Sequence, residues 1–296
     1  MPHLSFKTTD RRTFLKTTVA AAGTVLTMEM AGAAAHADSI RWAFLSDTHV
    51  PLDPTNEYRG FRPYDNMQTI VPEILAANPE GVVITGDLAR LEGFPGDYAN
   101  LKRFLDTLAE KMPVCLALGN HDDRQNFLNY FETLPVNRQL VSGKYVLEVA
   151  RQQARFLILD SNMYTNRVAG LLGKAQRLWL EDYLQNLDDV PVLLFLHHTL
   201  SDNDGDLMDV ERLFRIIRPI RRVKAIVYGH SHEYRFDRIE GIHLINLPAV
   251  GYNFNDKDPI GWVEAKLASG GGDFTLHAIG GNMQDDGKTT SLDWRA

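Results

Sequence analysis

The sequence predicts an α/β fold in which helices pack against a largely buried sheet. Short apolar runs alternate with amphipathic stretches along the chain, a pattern typical of strands and helices that follow one another in layers. No repeat period occurs, and no linker of biased composition divides the chain. The 296 residues are 44% hydrophobic and 23% charged, which is the composition of a globular protein with a sizeable core.

Seven runs of mainly apolar residues have the length and composition of buried strands. They cover residues 40–46, 81–85, 114–118, 155–159, 190–196, 225–228 and 243–247. Five stretches between them place apolar residues at helical spacing. These predicted helices cover residues 66–77, 98–111, 123–131, 174–187 and 208–217.

The last part of the chain has a different pattern. Residues 236–279 are richer in strand-forming residues and glycine, which indicates hairpins at a sheet edge. Within them, the glycine-rich residues 269–273 are predicted to form a turn. Residues from Gln284 onward are polar and are predicted to form a tail.

The first 37 residues have the features of an export signal and are set aside from the fold. The paired arginines Arg11-Arg12 precede an uncharged stretch, and the segment ends in Ala35-His36-Ala37, a pattern typical of signal cleavage. The paired arginines followed by Phe-Leu-Lys resemble a bacterial twin-arginine signal. We therefore expect one mature domain, residues 38–296, in the periplasm or secreted. The alternative is an uncleaved membrane anchor, but Glu29 ends the apolar run well short of the ~20 residues of a spanning helix.

Net charge and cysteine content exclude several classes of protein. With 31 basic and 38 acidic residues the formal net charge is −7, and removal of the signal makes it −9 because four basic and two acidic residues leave. This argues against binding of a nucleic-acid polymer or an anionic membrane through bulk charge. The basic residues 218–222 are therefore interpreted as a solvated helix end. The single cysteine, Cys115, excludes a disulfide framework and a cysteine-built metal site.

Polar side chains of similar chemistry follow five of the predicted strands. The segments are Asp47-Thr48-His49, Gly86-Asp87, Gly119-Asn120-His121-Asp122, His197-His198 and Gly229-His230-Ser231-His232. Because ligands bind at the carboxyl ends of strands in open α/β sheets, these side chains are expected to converge. Asp, Asn and His together suit metals such as zinc, manganese and iron. Each segment alone has an ordinary explanation, such as a turn or a helix cap. All five in order predict a metal site, since burying so many polar groups without partners costs free energy.

The order of these segments resembles that of the calcineurin-like metallophosphoesterases, and the resemblance covers nearly all of the mature chain. Thr85-Gly86-Asp87-Leu88, followed by the helix from residue 98, is similar to the class III cyclic-nucleotide and glycerophosphodiester phosphodiesterase branch. The helix over residues 173–184, with Gln176, is also similar to that branch. The fold implied is a four-layer α/β/β/α sandwich with the site at the sheet edges.

The resemblance implies two divalent or trivalent metal ions (Fe, Mn or Zn) and seven ligands. These are Asp47, His49 and His232 for the first metal, Asn120, His197 and His230 for the second, and Asp87 as the bridge. Purple acid phosphatases have a tyrosine ligand three residues after the bridging aspartate, where this chain has Arg90. A tyrosinate–iron(III) site is therefore not expected. Arg90 itself is interpreted as an exposed arginine, with a substrate contact as the alternative.

The expected reaction is hydrolysis of a small phosphate ester. Two divalent metals and two aspartates give the site a charge of about +2, which attracts phosphate even in an acidic protein. Paired metals ~3.5–4 Å apart lower the pKa of bound water, so a metal-bridging hydroxide is the expected nucleophile. The resemblance gives His121 the role of stabilising the transition state or protonating the leaving group. Asp122 is interpreted either as orienting His121 or as the N-cap of the next helix.

Several alternatives stay open at this point. A phosphodiester is the favoured substrate, with a phosphomonoester as the alternative and a non-catalytic metal- or phosphate-binding module as a third interpretation. A serine hydrolase is disfavoured because Glu233 stands where the nucleophile elbow around Ser231 needs glycine. His198 is interpreted as a supporting residue and Asp160 as a turn or support residue. The acidic residues 202–206 fail the EF-hand pattern and are predicted to form a loop near the site. No oligomeric state is predicted.

Overall fold

The computed structural model describes residues 39–131, 137–139 and 141–296. The strands are β1 (Ile40–Leu45), β2 (Val82–Ile84), β3 (Val114–Leu116), β4 (Asn137–Gln139), β5 (Val146–Ala150), β6 (Arg155–Ile158), β7 (Val192–Phe195), β8 (Val223–Tyr228), β9 (Arg235–Ile239), β10 (Ile242–Asn246), β11 (Pro259–Ala268), β12 (Gly271–Gly281) and β13 (Thr289–Asp293). The helices are α1 (Pro63–Ala77), α2 (Pro95–Ala109), α3 (Arg124–Phe131), α4 (Gly173–Gln185) and α5 (Val210–Ile217). The predicted signal, residues 1–37, lies outside the described residues.

The strands form two sheets. The first sheet has the order β13-β12-β11-β1-β2-β3, and the second has the order β4-β5-β6-β7-β8-β10-β9. In the first sheet β1, β2 and β3 are parallel. In the second, β6, β7, β8 and β10 are parallel. The α/β class is confirmed, but the sequence pattern by itself predicted one sheet where the structure has two.

All seven predicted strands and all five predicted helices are present, with changed bounds. Helices α1 and α2 begin three residues earlier than predicted, at Pro63 and Pro95. Proline suits the first helical turn, because its fixed φ is helical and the N–H that it lacks has no partner there. The predicted polar tail is wrong, since Thr289–Asp293 forms β13 and pairs with β12. Strands β4 and β5 were not predicted.

Aromatic side chains fill the space between the two sheets. Trp42 of β1 lies 4.9 Å from Phe156 of β6, and Phe44 lies 4.9 Å from Phe195 of β7, measured between ring centroids. Because side chains alternate along a strand, the other face of β1 is left for the helices. On that face Trp262 of β11 donates a hydrogen bond to Glu73 of α1 at 3.0 Å.

Helices α4 and α5 cover the outer face of the second sheet. Leu180 and Leu184 of α4 and Leu213 and Ile217 of α5 are buried in one apolar cluster with Leu194 of β7. The order of layers is therefore helices, first sheet, second sheet and helices. This is the four-layer α/β/β/α sandwich that the resemblance implied. Within the described residues, no helix combines the length and the apolar character that a membrane crossing needs.

The segment after β10 ties the two sheets together beside the strand ends. Val250 N–H donates to Ser46 O at 2.9 Å, and Gly251 N–H donates to Asp47 O at 2.8 Å. The chain thus passes from the second sheet to the end of β1 before it enters β11. These bonds hold the segment that follows β1 in place from outside its own sheet.

The last residues of the chain join the first sheet to the second. Trp294 donates from its ring nitrogen to Ala268 O at 3.0 Å. The guanidinium of Arg295, only 6% exposed, donates to five backbone carbonyls near the end of α5 and around β8. These are the carbonyls of Val223, Arg218, Glu240, Ile217 and Ile220. Arg295 therefore satisfies acceptors that the helix end cannot satisfy itself.

We expect Arg295→Ala to lower the free energy of unfolding by about 2–4 kcal/mol, because it leaves buried carbonyls without a donor. Urea denaturation of the metal-free protein measures this change. Lys288→Ala is the control, since its ion pair with Asp285 is exposed and contributes little. Equal stability of the two variants would contradict the assignment.

Candidate metal centre

The predicted ligands converge where the strands of both sheets end. Two groups of side chains place their ligand atoms within 4.8 Å of one another. The groups are Asp47, His49 and His232, and Asp87, His197 and His230. Asn120 joins the second group, with Oδ1 3.2 Å from His197 Nε2. Asp87 Oδ2 lies 3.4 Å from His197 Nε2 and 3.7 Å from His49 Nε2, so it stands between the two groups.

Five of these residues have a left-handed backbone. Asp47, His49, Asp87, His230 and His232 have φ angles between 45° and 72°. This conformation is uncommon outside glycine and costs roughly 1–3 kcal/mol per residue, so the surrounding structure must impose it. Two hydrogen bonds help to impose it. Asp47 N–H donates to Gly86 O at 3.0 Å, and His49 N–H donates to Asp87 O at 2.9 Å. The turns aim successive side chains of one loop at one point.

Two glycines leave room for the carboxylates. A Cβ on Gly119 would lie 2.1 Å from Asp87 Oδ1, and one on Gly229 would lie 2.3 Å from Asp47 Oδ2. Either contact is far below van der Waals distance, so any larger residue displaces an aspartate. The backbone N–H of His230 donates to Asp47 Oδ2 at 3.0 Å, and that of His121 donates to Asp87 Oδ1 at 2.9 Å. Each carboxylate is thereby oriented through one oxygen, and its other oxygen faces the centre.

The histidines of the first group present lone pairs to each other. His49 Nδ1 lies 3.1 Å from Arg90 O, and His232 Nδ1 lies 2.5 Å from Tyr252 O. Since a carbonyl only accepts, we assign a proton to Nδ1 of each ring, so Nε2 is the nitrogen that can offer a lone pair to a metal. The two Nε2 atoms are 3.2 Å apart. Two converging lone pairs repel unless a cation lies between them, which is the arrangement of a metal site.

The second group is built in the same way from the other ring nitrogen. His230 Nε2 lies 3.0 Å from Gly205 O, which leaves the lone pair on Nδ1, 3.3 Å from His197 Nε2. Gly205 belongs to the acidic loop that the sequence places near the site. Within the described part of the chain, the buried atom Asp47 Oδ1 has no hydrogen-bond partner. An orphaned carboxylate oxygen among imidazole nitrogens fits a divalent cation.

Burial and charge set the protonation of these side chains. Burial lowers the pKa of His49 to about 3 and that of His230 to about 4, so both rings are neutral at neutral pH, as ligands must be. Burial also acts on His197, but Asp87 and Asp47 outweigh it and raise the pKa of His197 to about 9. Burial raises the pKa of Asp47, and its neighbours His232 and His197 overcome this and hold it below its ordinary value. In the metal-free protein, the His197 imidazolium therefore offsets part of the charge of the buried carboxylates.

His121 lies at the rim of the centre and is partly exposed. Its Nδ1 lies 2.7 Å from Leu91 O and 3.2 Å from Asn166 Oδ1. Its Nε2 lies 4.0 Å from Asp87 Oδ2, so this nitrogen faces the ligand groups. The backbone N–H of Asn166 donates to Asn120 O at 2.7 Å and links this rim to a predicted ligand.

Asp122 has neither of the two predicted contacts. Its carboxylate is buried and accepts hydrogen bonds from the N–H groups of Leu88, Ala89 and Gly119 and from the Tyr98 hydroxyl. His121 turns to Leu91 O instead, and the cap of α3 is Asp123, whose Oδ1 accepts from Asn126 N–H at 2.8 Å. Asp122 is therefore corrected to a residue that joins the loops after β2 and β3. Burial and the charge of Asp87 raise its pKa to about 6.

Two further sequence predictions concern supporting residues. His198 is outside both ligand groups, as expected, and its Nδ1 lies 2.8 Å from the Ser161 hydroxyl. Asp160 is buried and holds the guanidinium of Arg124 through two hydrogen bonds of 2.9 and 3.0 Å. Asp160 also accepts from the N–H of Tyr145 at 2.9 Å. It is a support residue, as predicted.

The sequence reasoning missed two aromatic residues of the centre. Tyr252 stacks on His49 with centroids 4.7 Å apart, and Phe254 stacks on His232 at 4.3 Å. Both come from the segment after β10, where no strand-end motif marks them. Their role follows only from the path of this segment across the two sheets.

Comparison with known proteins identifies the family. The model of the calcineurin-like phosphoesterase family matches residues 40–234, about two thirds of the chain. The chain belongs to this family, and its fold and two groups of metal-ligand side chains are those of a metal-dependent phosphoesterase.

Individual relatives are phosphodiesterases. The chain is 28% identical over 218 residues to glycerophosphodiester phosphodiesterase GpdQ of Enterobacter lignolyticus, covering 70% of this chain and 76% of that protein. It is 27% identical over 252 residues to the 3',5'-cyclic adenosine monophosphate phosphodiesterase CpdA of Vibrio vulnificus, covering 82% and 88%. The fold is similar to that of a dimetal phosphatase from Danio rerio, with a TM-score of 0.64, 15% identity and coverage of 86% and 99%.

We expect Gly119→Ala to lower the affinity for metal by about 10-fold or more, because the added methyl group displaces the Asp87 carboxylate. Titration of the metal-free protein with Mn²⁺ or Zn²⁺ measures the affinity. The matched control is Gly270→Ala in the β11–β12 hairpin, where a Cβ meets nothing within 4 Å. Wild-type metal affinity in the Gly119 variant would show that this glycine does not shape the centre.

Proposed function

We propose that this protein hydrolyses small phosphodiesters with two metal ions held by the seven predicted ligands. The observation that carries the proposal is the convergence of two ligand groups on either side of Asp87, with histidine lone pairs directed inward. Asp47, His49 and His232 would hold one ion. Asn120, His197 and His230 would hold the other, with Asp87 bound to both. The fit rests on the donor chemistry and on the orphaned Asp47 Oδ1.

The chemistry that such a pair of ions supplies is a hydroxide nucleophile at neutral pH and neutralisation of charge on the phosphate. The chain's own residues bury the two carboxylates away from water and fix their orientation. Asp47 and Asp87 are 0% and 2% exposed, so their charges act in an environment of low dielectric constant. The backbone N–H groups of His230 and His121 fix the rotation of both carboxylates. The site therefore needs little rearrangement when a phosphate arrives.

His121 is proposed to protonate the leaving oxygen. Its Nδ1–H donates to Leu91 O, so the imidazolium form holds its second proton on Nε2, the nitrogen that faces the ligand groups. A partly exposed ring at the rim also exchanges protons with solvent between turnovers. General acid catalysis of this kind contributes about 10²–10⁴-fold to a rate.

The diester preference is proposed from the two phosphodiesterases to which the chain is similar. The alternative is phosphomonoester hydrolysis at the same centre. Turnover of bis-p-nitrophenyl phosphate and p-nitrophenyl phosphate by the metal-loaded protein separates the two. Faster monoester turnover selects the alternative, and no turnover of either ester with both metals bound overturns the proposal.

We expect Asn120→Ala to lower metal content from about two ions per chain to about one, because the second group loses an oxygen ligand. Elemental analysis after dialysis at limiting metal measures the stoichiometry. The control is Asn129→Ala, an exposed residue of α3 that keeps its full metal content. An unchanged stoichiometry in both variants would contradict the ligand assignment.

We expect His121→Ala to lower kcat by about 100-fold or more on an alkyl ester while both metals stay bound. The loss on a p-nitrophenyl ester is smaller, because p-nitrophenolate leaves without protonation. His277→Ala on β12 serves as the control variant. An equal loss on both esters would argue that His121 binds the phosphate and does not act as the acid.

A further inference from the structure

The guanidinium of Arg90 is held beside the metal centre. Its Cζ lies 4.9 Å from the ring centroid of Tyr58 and 5.3 Å from that of Tyr252. Its Nε donates to Asn56 Oδ1 at 3.0 Å. Tyr252 in turn stacks on the predicted ligand His49. The position of Arg90 is thus set by aromatic rings and one amide, and its side chain is partly exposed, where the sequence predicted an exposed arginine.

One donor of this guanidinium is left without a partner. Arg90 Nη1 is buried and forms no hydrogen bond within the described part of the chain. Burying this donor without an acceptor costs free energy, and the cation–π contacts with Tyr58 and Tyr252 offset part of that cost.

Arg90 lines an open cavity of about 450 Å³. Three of the other lining side chains, Leu52, Leu91 and Phe94, are apolar and between 45% and 60% exposed. Apolar surface of this extent in contact with one fixed polar group is typical of a pocket for part of an organic ligand. The volume suits a ring or a similar group of modest size.

The cavity shares a wall with the metal centre. Arg90 O accepts the hydrogen bond from His49 Nδ1, and Leu91 O accepts the one from His121 Nδ1. The carbonyls of this wall therefore face the centre, while the side chains of the same two residues line the cavity. The cavity is therefore placed to receive a substituent of a phosphate that binds next to His121.

Charge restricts what the cavity accepts. Asp53, Glu92 and Asp97 also line it, so acidic residues outnumber the single arginine. Asp97 is already engaged, since it accepts from the N–H of Leu52 at 2.6 Å and that of Phe94 at 3.2 Å. A second anionic group on the substrate would be repelled by these carboxylates. A neutral group with an apolar face and one hydrogen-bond acceptor complements the pocket.

We propose that Arg90 is a specificity-determining residue whose guanidinium donates a hydrogen bond to a neutral, ring-sized ester substituent of the substrate, which lies in this cavity against Leu52, Leu91 and Phe94. The inference rests on the proposed function, since it assigns the second substituent of a phosphoester to a place next to the metal centre. It also gives a reason for diester preference, because a monoester has no second substituent to fill the cavity.

Calorimetry on the metal-loaded protein tests this with two ligands that are not turned over. Inorganic phosphate occupies the metal centre alone, and 4-nitrophenylphosphonate adds a neutral aryl group with an acceptor. Arg90→Met is expected to raise the Kd of the aryl phosphonate by about 10-fold, the effect of one charge-assisted hydrogen bond, and to leave the Kd of phosphate at the wild-type value. The KM for bis-p-nitrophenyl phosphate rises in parallel while kcat is kept.

Arg59→Met is the matched control. Arg59 lies 6.0 Å from the ring of Phe254, which stacks on His232. The substitution therefore removes the same charge next to the same centre, but at a residue that does not line the cavity. Equal affinities of wild type and the Arg90 variant for the aryl phosphonate overturn the inference. An equal loss of affinity for both ligands in both variants also overturns it, because that result shows an effect of charge alone. Absence of ester turnover by the wild type, with this ligand binding intact, overturns the proposed function and not the pocket.

Discussion

Two buried carboxylates impose the main constraint on this structure. Asp47 and Asp87 lie almost without solvent contact at the point where the two sheets meet. Charges in such a place are stable only beside opposite charge, which the metal-free protein supplies through its histidines and a metal-loaded protein supplies through cations. The left-handed turns, the glycines beside both aspartates and the inward lone pairs all serve this arrangement.

The sandwich provides the rigidity that such a centre needs. The strained backbone at Asp47, His49 and Asp87 persists because β1 and β2 are inner strands of a sheet and their following loops bond to each other. Ties from outside the sheet add to this, from the segment after β10 at Gly251 and from the Asp122 carboxylate. Arg295 plays a comparable part far along the chain, where it satisfies the carbonyls at the end of α5.

The groups that surround the predicted ligands differ in chemical type and in role. Aromatic rings pack on the two histidines of the first group, backbone carbonyls hold the outer nitrogens of three ligand histidines, and one arginine stands beside a cavity. The carbonyls set which ring nitrogen carries the lone pair. The aromatic rings limit ring rotation. Orientation is therefore set by residues that carry no catalytic motif of their own.

The predictions from the sequence succeeded where the signal is local. Each buried strand that ends in Asp, Asn or His stands out in the chain, so the α/β class, all seven strands and the convergence of these side chains were predictable. The strand Thr289–Asp293 was not predictable, because a polar edge strand has the composition of a tail and is defined only by its pairing with β12. Asp122 was misinterpreted for a similar reason, since three of its four partners lie more than twenty residues earlier in the chain, at Leu88, Ala89 and Tyr98.

The sequence by itself determined which residue types follow which strands, and hence the kind of site, because strand periodicity and ligand chemistry are both properties of short segments. Only the tertiary structure decided that the strands belong to two sheets, that Asp87 stands between the ligand groups and that Tyr252, Phe254 and Arg90 surround them. Those relations depend on contacts between residues far apart in the chain. No local pattern encodes such contacts.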